Sequence, residues 1–184
     1  MFSKYNYYLN KFPLLTKSIT SGIIGGAGDI MAQKLTNDNF DYKRFSTFVF
    51  LQVVLVGPTL HIWYSTVFKI VPGTGMINTI KRVALDQGCF APLFVTTFMA
   101  SNLFLTGKTF NEVKYKLKED VVTTILTNNG VWIPAQLINL GLIPPQYQVL
   151  FANFVGLFWN TYLSAMTYKE RIEHPVHIVE TKQE

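Results

Sequence analysis

The stretch FSTFVFLQVVLVGPTLHIWYSTVF, residues 45–68, contains 24 residues and no Asp, Glu, Lys or Arg. A bilayer core is about 30 Å thick, and a helix of roughly 20 apolar residues crosses it. This stretch is therefore predicted to form one membrane-spanning helix. Two further windows lack these charged residues, residues 87–107 with 21 residues and residues 121–168 with 48 residues. The window at 87–107 also fits a single crossing.

The window at 121–168 is too long for one crossing and contains Pro134, Pro144 and Pro145. Proline removes a helical hydrogen bond, and adjacent prolines favour a turn. We therefore interpret this window as an arriving helix, a turn at the proline pair and a departing helix over about residues 146–168.

The composition of the 184-residue chain is also that of a membrane protein. Charged residues make up 15% of it, against roughly 25% in a typical soluble domain. Aromatic residues at 15% are too many for a disordered chain. The alternative is a soluble protein with an unusually buried core. Soluble helices need a polar face toward water, and the long uncharged windows favour the membrane interpretation.

We therefore predict an all-α fold, a multi-pass membrane helix bundle in a single membrane domain of residues 1–184. The four transmembrane helices are expected near residues 14–35, 45–70, 85–106 and 146–168. Residues 110–143 should contain an amphipathic or interfacial helix to about residue 128, with a charged first half. A short re-entrant or half-buried segment is expected to follow it over about residues 131–143, and residues 169–184 form a tail.

The first predicted span, LLTKSITSGIIGGAGDIMAQKL, is rich in small residues. Ser18, Gly22 and Gly26 recur at four-residue spacing, which lets helix backbones approach closely in a bilayer. The same faces could support a homo-oligomer. A phosphate-binding loop is the rival interpretation, but GIIGGAGD lacks the Gly-Lys-Ser/Thr ending, and no strand precedes it.

Asp29 is the most informative single residue, because an acid inside a membrane helix is costly and usually faces a cavity or a partner. One interpretation is that it lines a pore and favours cations. The other is that it pairs with Lys81 or Arg82 and joins two helices. Gln33 lies one turn beyond on the same face and could extend either arrangement.

Other polar groups within the predicted spans are candidates for a pore lining or for helix–helix hydrogen bonds. Gly57 and Pro58 are expected to kink the second span, where His61 is interpreted as a hydrogen-bonded structural group. Asp86 and Gln87 precede the third span and are interpreted as a structural junction. The remaining candidates are the amides of Gln136, Asn139 and Asn160.

Several function classes find no support in the sequence. The net charge of +5 is spread over every loop, whereas a nucleic-acid site would concentrate it; we expect anionic lipid headgroups as its partners. Cys89, the single cysteine, has no catalytic framework beside it, so we expect no enzyme activity and no catalytic residues. His174 and His177 in the tail lack further ligands. We expect no metal site and no cofactor.

Ordered motifs along the chain resemble one known family. They are Gly28-Asp29 with Gln33, then GPTLHIWY over residues 57–64, then Pro72-Gly73-Thr74 with LDQGCFAP over residues 85–92. The pattern continues with WIPAQLINL over residues 132–140 and ends with WNTYLS over residues 159–164. Together they resemble the family of the twenty-two-kilodalton peroxisomal membrane protein and the mitochondrial inner-membrane protein Mpv17.

The resemblance implies four transmembrane helices, an organellar membrane (mitochondrial inner or peroxisomal) and a pore for small solutes or metabolites. The alternative is a structural or partner-binding membrane protein without a pore. Two positions depart from the family pattern. Ile133 separates Trp132 from Pro134, which are usually adjacent, and Gln148 stands where family members usually carry Arg.

Overall fold

The computed structural model describes residues 2–36 and 39–173, with side chains described over 4–35 and 39–161. This part of the chain is helical and contains no strand, so the all-α prediction is confirmed there. The α-helices are α1 Phe2–Lys11, α2 Pro13–Thr36, α3 Tyr42–Leu51, α4 Gly57–Ile70, α5 Met76–Leu85, α6 Ala91–Leu105, α7 Phe110–Leu142 and α8 Gln148–Glu173. Helix α1 was not predicted, and the tail beyond residue 173 lies outside the described residues.

Two continuous helical stretches are long and apolar enough to cross a membrane. The first, Tyr42–Ile70, joins α3 to α4 and has 29 residues. The second, Met76–Leu105, joins α5 to α6 and has 30 residues, so it begins before the predicted boundary at residue 85. Only 33% and 6% of their most apolar windows are buried inside the protein. Such outward-facing apolar surface is characteristic of a helical membrane protein; the count of four spans stays a prediction.

Each of these stretches contains a π-turn just before a proline. The π-turn Gln52–Val56 precedes Gly57-Pro58, and the π-turn Asp86–Phe90 precedes Ala91-Pro92. In each, the backbone N–H before the proline donates to a carbonyl five residues earlier, Gly57 to Gln52 and Ala91 to Asp86. Proline lacks an N–H and crowds the preceding turn, and the wider π-turn lets the helix continue. The helix therefore passes through Pro58 with a local widening.

Helix α7 corrects the prediction for residues 110–143. We expected an interfacial helix to end near residue 128 and a separate re-entrant segment to follow, but Phe110–Leu142 is one helix of 33 residues. It spans the change from charged to apolar sequence because backbone hydrogen bonds within a helix are the same on both sides of that change. Pro134 is accommodated within it. The helix ends before Pro144, where the residue before a proline disfavours helix.

The start of α7 is fixed by a capping box. The Thr109 hydroxyl accepts from the Glu112 backbone N–H, and the Thr109 backbone N–H donates to the Glu112 carboxylate at 2.8 Å. Hydrogen bonds from the backbone and hydroxyl of Thr109, with help from Lys108, lower the pKa of Glu112 to about 2. The carboxylate is thus held as an anion at a helix N-terminus, where the helix dipole favours it.

Helix α2 packs against α3, α4 and α8, and its small residues permit close approach. A Cβ on Gly57 of α4 would lie 2.6 Å from the Ser18 Cα of α2, and one on Gly28 would lie 3.4 Å from the Leu157 Cα of α8. Gly26 likewise faces the Val49 side chain. Small side chains at these points allow backbones to touch, as they do between membrane helices.

A second contact joins the end of α2 to the start of α3. Asp29 is 3% exposed and pairs with Arg44, with Oδ1 and Nε 3.0 Å apart. Gln33 donates to the other Asp29 oxygen at 2.8 Å and accepts from the Asp41 backbone N–H at 2.7 Å. The expected pairing of Asp29 with Lys81 or Arg82 was therefore wrong. Arg44 is brought beside Asp29 because the α2–α3 connection is short.

Arg82 has a different role. Its guanidinium is 3% exposed and donates to the carbonyl oxygens of Val71, at 2.9 and 3.0 Å, and of Gly73. Its guanidinium carbon also lies 4.0 Å from the centre of the Phe68 ring. A cation is favourable at a helix C-terminus, where carbonyls lack partners. Arg82 thus closes the end of α4 and links it to α5.

Gly57→Ala should destabilise the bundle. The added methyl would meet the α2 backbone at Ser18 and force the helices apart, at a cost of about 1–3 kcal/mol. The matched control is Gly130→Ala, also within a helix, where an added Cβ meets nothing within 4 Å. Thermal unfolding in detergent should show a clear drop for the first variant and none for the second. Equal melting temperatures would contradict the close approach of α2 and α4.

Asp29→Ala should also destabilise the fold, because it leaves Arg44 and Gln33 without their shared acceptor, at a cost of about 1–3 kcal/mol. Asp120→Ala is the control, since its exposed pair with Lys116 contributes little. The measurement is the same thermal unfolding series. A control variant that lost as much stability as Asp29→Ala would argue against a special role for the buried acid.

Candidate functional site

Asp86 is a buried acid at the first position of the second π-turn, and it is 1% exposed. Its carboxylate accepts three hydrogen bonds, from Trp63 Nε1 at 2.5 Å, Gln87 Nε2 at 2.6 Å and Gln136 Nε2 at 2.9 Å. No ion pair in the described part of the chain involves it. Neutral donors alone therefore solvate this carboxyl group.

The hydrogen bonds continue from Asp86 through α7 to α8. Gln136 also donates to the Tyr64 hydroxyl at 3.2 Å, and its own carbonyl accepts from Asn139 Nδ2 at 2.9 Å. Gln148, at the start of α8, donates to the Asn139 carbonyl at 3.2 Å and to the Ile143 carbonyl at 3.3 Å. In this chain Gln148, the residue that departs from the family pattern, thus holds the end of α7.

A cavity of about 280 Å³ lies beside this network, between the helices. Asp86 is its one acidic residue, and no Lys or Arg lines it. The other polar side chains that line it are uncharged at neutral pH, and most of them are amides. They are Gln52, Tyr64, Gln87, Thr124, Asn128, Gln136, Asn153 and Asn160.

Two buried amides of this lining differ in their hydrogen bonds. One has an acceptor without a partner, and the other is bound to α2. Gln87 is 9% exposed, and its Oε1 has no hydrogen-bond partner among the described residues. Asn153 of α8 donates to the Ser21 hydroxyl of α2 at 2.8 Å. The lining therefore offers a free amide acceptor next to a carboxylate, a combination that suits a solute with hydrogen-bond donors or a positive charge.

One wall of the cavity is aromatic. Phe90, at the end of the second π-turn, and Phe94 and Phe98 of α6 follow one another at ring-centre distances of 5.4 and 6.3 Å. Trp63 stacks on Phe90 with ring centres 4.5 Å apart. Trp132 and Trp159 also line the cavity. The cavity is thus apolar along α6 and polar around Asp86.

The structure divides the predicted site residues into three groups. Gln136 and Asn160 line the cavity, and Asn139 lies outside the lining and donates a hydrogen bond to Gln136. Asp29 and Gln33 lie at the α2–α3 junction and not in the lining. The third group is His61, Gly57 and Pro58: His61 Nδ1 lies 3.2 Å from Lys17 Nζ, while Gly57 and Pro58 follow the first π-turn.

From the sequence, Asp86 and Gln87 are interpreted as a structural junction, and Gln52, Asn128 and Asn153 are not among the predicted site residues. A signal for three of the five was present. Gln52, Asp86 and Asn128 each stand six residues before a proline inside a helical stretch, before Pro58, Pro92 and Pro134. Because two of these prolines are preceded by π-turns that begin at the polar residue, the spacing points to the side chains that line the cavity.

Within the described residues no group of His, Cys, Asp and Glu side chains could hold a metal ion. Cys89 is exposed. The two histidines of the tail, His174 and His177, lie outside the described residues. The arrangement as a whole contains acceptors, amides and aromatic faces, and it suits the binding or passage of a small molecule.

Comparison with known proteins identifies the family. Residues 103–164 match the sequence model of the Mpv17 / PMP22 family. The chain is 36% identical over 170 residues to protein sym-1 of Neurospora crassa, covering 89% of this chain and 97% of the relative. It is 31% identical to the mitochondrial inner membrane protein Mpv17 of Caenorhabditis briggsae, covering 93% and 95%.

A third relative, peroxisomal membrane protein 2 of Bos taurus, is 34% identical over 175 residues, covering 89% of this chain and 88% of the relative. No solved structure matches the chain. The relatives cover most of the chain, and two of them are named as a mitochondrial inner membrane protein and a peroxisomal membrane protein. The chain therefore belongs to the Mpv17/PMP22 family of membrane proteins.

Proposed function

We propose that this protein forms a channel for small solutes across the mitochondrial inner or the peroxisomal membrane. The names of its relatives suggest these two membranes. The observation that carries the channel proposal is the cavity between the helices, with a carboxylate and several amides in an otherwise apolar wall. Polar groups inside a membrane are costly unless they face a water-filled cavity or pair with another polar group.

The size and charge of the cavity determine which solutes it suits. A volume of about 280 Å³ admits small metabolites and excludes folded proteins and nucleic acids. No Lys or Arg lines the cavity beside Asp86, and when Asp86 is ionised its charge raises the local concentration of cations and donor-bearing solutes. The amides of Gln52, Gln87 and Asn160 can replace part of the hydration shell of a solute in passage.

We propose no catalytic step and no cofactor for this chain. Asp86 and the amides act by charge and hydrogen bonding alone. One chain encloses only a narrow path, so a wider pore would require several copies of the chain.

The second candidate function is a structural membrane protein without a pore. The observation that favours it is the set of donors already bound to Asp86, because two of its three hydrogen bonds come from other helices, from Trp63 of α4 and Gln136 of α7, and join them to the second π-turn. In this case the cavity would be a packing gap, and its residues would affect stability alone.

Protein reconstituted into planar bilayers should conduct, and Asp86→Asn should lower cation conductance by about tenfold, because it removes the one acidic charge of the cavity. The control is Asp120→Asn, an exposed acid on the charged half of α7 that does not line the cavity. A wild type that is electrically silent, together with liposomes that stay tight to small solutes, would rule the channel out.

Gly156→Leu tests the path itself. Gly156 lines the cavity, and a Cβ added there meets nothing within 4 Å, so a leucine should fill the space without a clash. Gly130→Leu is the matched control, since Gly130 is equally open but lies outside the cavity. Solute efflux from liposomes should fall to a small fraction for Gly156→Leu alone. Unchanged flux in both variants would support the structural alternative.

A further inference from the structure

A groove of about 450 Å³ runs between α2 and α3 on the outer surface of the bundle, away from the cavity. Ile23, Ala27 and Ile30 line it on α2, and Phe45 and Val49 line it on α3. Every lining residue is apolar or glycine. Ile23 is 68% exposed although it is fully apolar. A surface of this kind needs an apolar occupant.

The groove follows one half of a candidate membrane helix. It begins at Phe45, in the first turn of the stretch Tyr42–Ile70, and reaches Val53 near the middle of its 29 residues. Eight residues of helix rise about 12 Å. This is close to half of a bilayer core of about 30 Å. The groove therefore has the length of one leaflet, which is the depth that a single acyl chain occupies.

The end of the groove carries a positive charge and a hydroxyl group. Lys34 follows Ile30 by four residues and so extends the groove face of α2 by one turn; it is exposed, and no ion pair of the described residues involves it. Tyr42 is 77% exposed. Its ring centre lies 4.9 Å from that of Phe40, which lies 5.5 Å from that of Phe45. Tyrosine and lysine are typical of the headgroup level.

We infer that this groove seats an anionic phospholipid, with one acyl chain along α2 and α3 and the phosphate at Lys34 and Tyr42. Charge complementarity favours this occupant over a second copy of the chain. A two-fold contact through this face would bring the Lys34 of one copy toward the same region of the other. The inference requires that Tyr42–Ile70 lies in a bilayer, and it does not depend on channel activity.

The test counts bound lipids by native mass spectrometry on protein purified in detergent and incubated with phosphatidylglycerol or phosphatidylcholine. Wild type should retain one phosphatidylglycerol in preference to phosphatidylcholine. Lys34→Gln should lower that preference about fivefold, the effect of one basic residue at a membrane surface. Lys69→Gln, an exposed lysine at the other end of the same helical stretch, should leave it unchanged.

Ala27→Trp should displace the lipid, because Ala27 is exposed and lines the groove. Leu93→Trp is its control, since Leu93 is 71% exposed on α6 and lies outside the groove. Ala27→Leu, a smaller change, should show an intermediate loss. Melting temperatures and helical circular dichroism of all variants should match wild type, which separates loss of lipid from loss of fold.

Three results would overturn the inference. Equal retention of the two lipids by wild type would mean that the groove recognises no headgroup. Retention of phosphatidylglycerol by folded Ala27→Trp would place that lipid elsewhere. Disulfide-linked dimers of Ile23→Cys, made in a Cys89→Ser background within lipid vesicles, would identify a second copy of the chain as the occupant.

Discussion

The carboxylate of Asp86 is 1% exposed and is held by N–H donors from α4, the second π-turn and α7. A buried carboxylate without partners would cost several kcal/mol, so these helices are constrained to meet where their donors converge. From this point the hydrogen bonds pass through Gln136 and Asn139 to the start of α8. The cavity lies beside this carboxylate, which is its one acidic lining residue. Stability and the proposed path for solutes therefore depend on one group.

The prolines determine where this arrangement can form. Pro58 and Pro92 cannot donate to the helical ladder, and each is preceded by a π-turn that inserts extra backbone into a helix long enough to cross a bilayer. A π-turn changes the direction of the side chains at its start, which in these two cases are Gln52 and Asp86. Both line the cavity. π-Turns are common at functional sites for this reason. Because Pro58 and Pro92 lack an N–H, a π-turn forms before each, and it positions the polar side chains of Gln52 and Asp86.

Helix α2 divides its faces between the interior and the surroundings of the protein. Its glycines admit α3 and α8 at close distance, its Ser18 meets Gly57 of α4, and its buried Ser21 and Asp29 hydrogen-bond to α8 and α3. The opposite face presents isoleucines outward and forms the groove with α3. Arg82 and Gln148 act at the loops, where each holds carbonyl groups at a helix end. Among the described residues, most buried polar side chains are hydrogen-bonded and many large apolar side chains are exposed, the pattern expected when lipid surrounds the bundle.

Much of the architecture was determined by the sequence alone. Uncharged windows predicted the helical membrane fold, because lipid permits few charges on a helix. Ordered motifs from Gly28 to Ser164 predicted the family, because the order of motifs is kept among related sequences. The amides Gln136 and Asn160 were identified as candidates because they are polar side chains within uncharged, apolar sequence. The partner of Asp29, the unbroken course of α7 and the selection of Asp86 as the cavity acid were decided by the tertiary structure. Each depends on which helices are neighbours. Burial and hydrogen-bond partners come from contacts between residues far apart in the chain, and no local sequence pattern specifies such contacts.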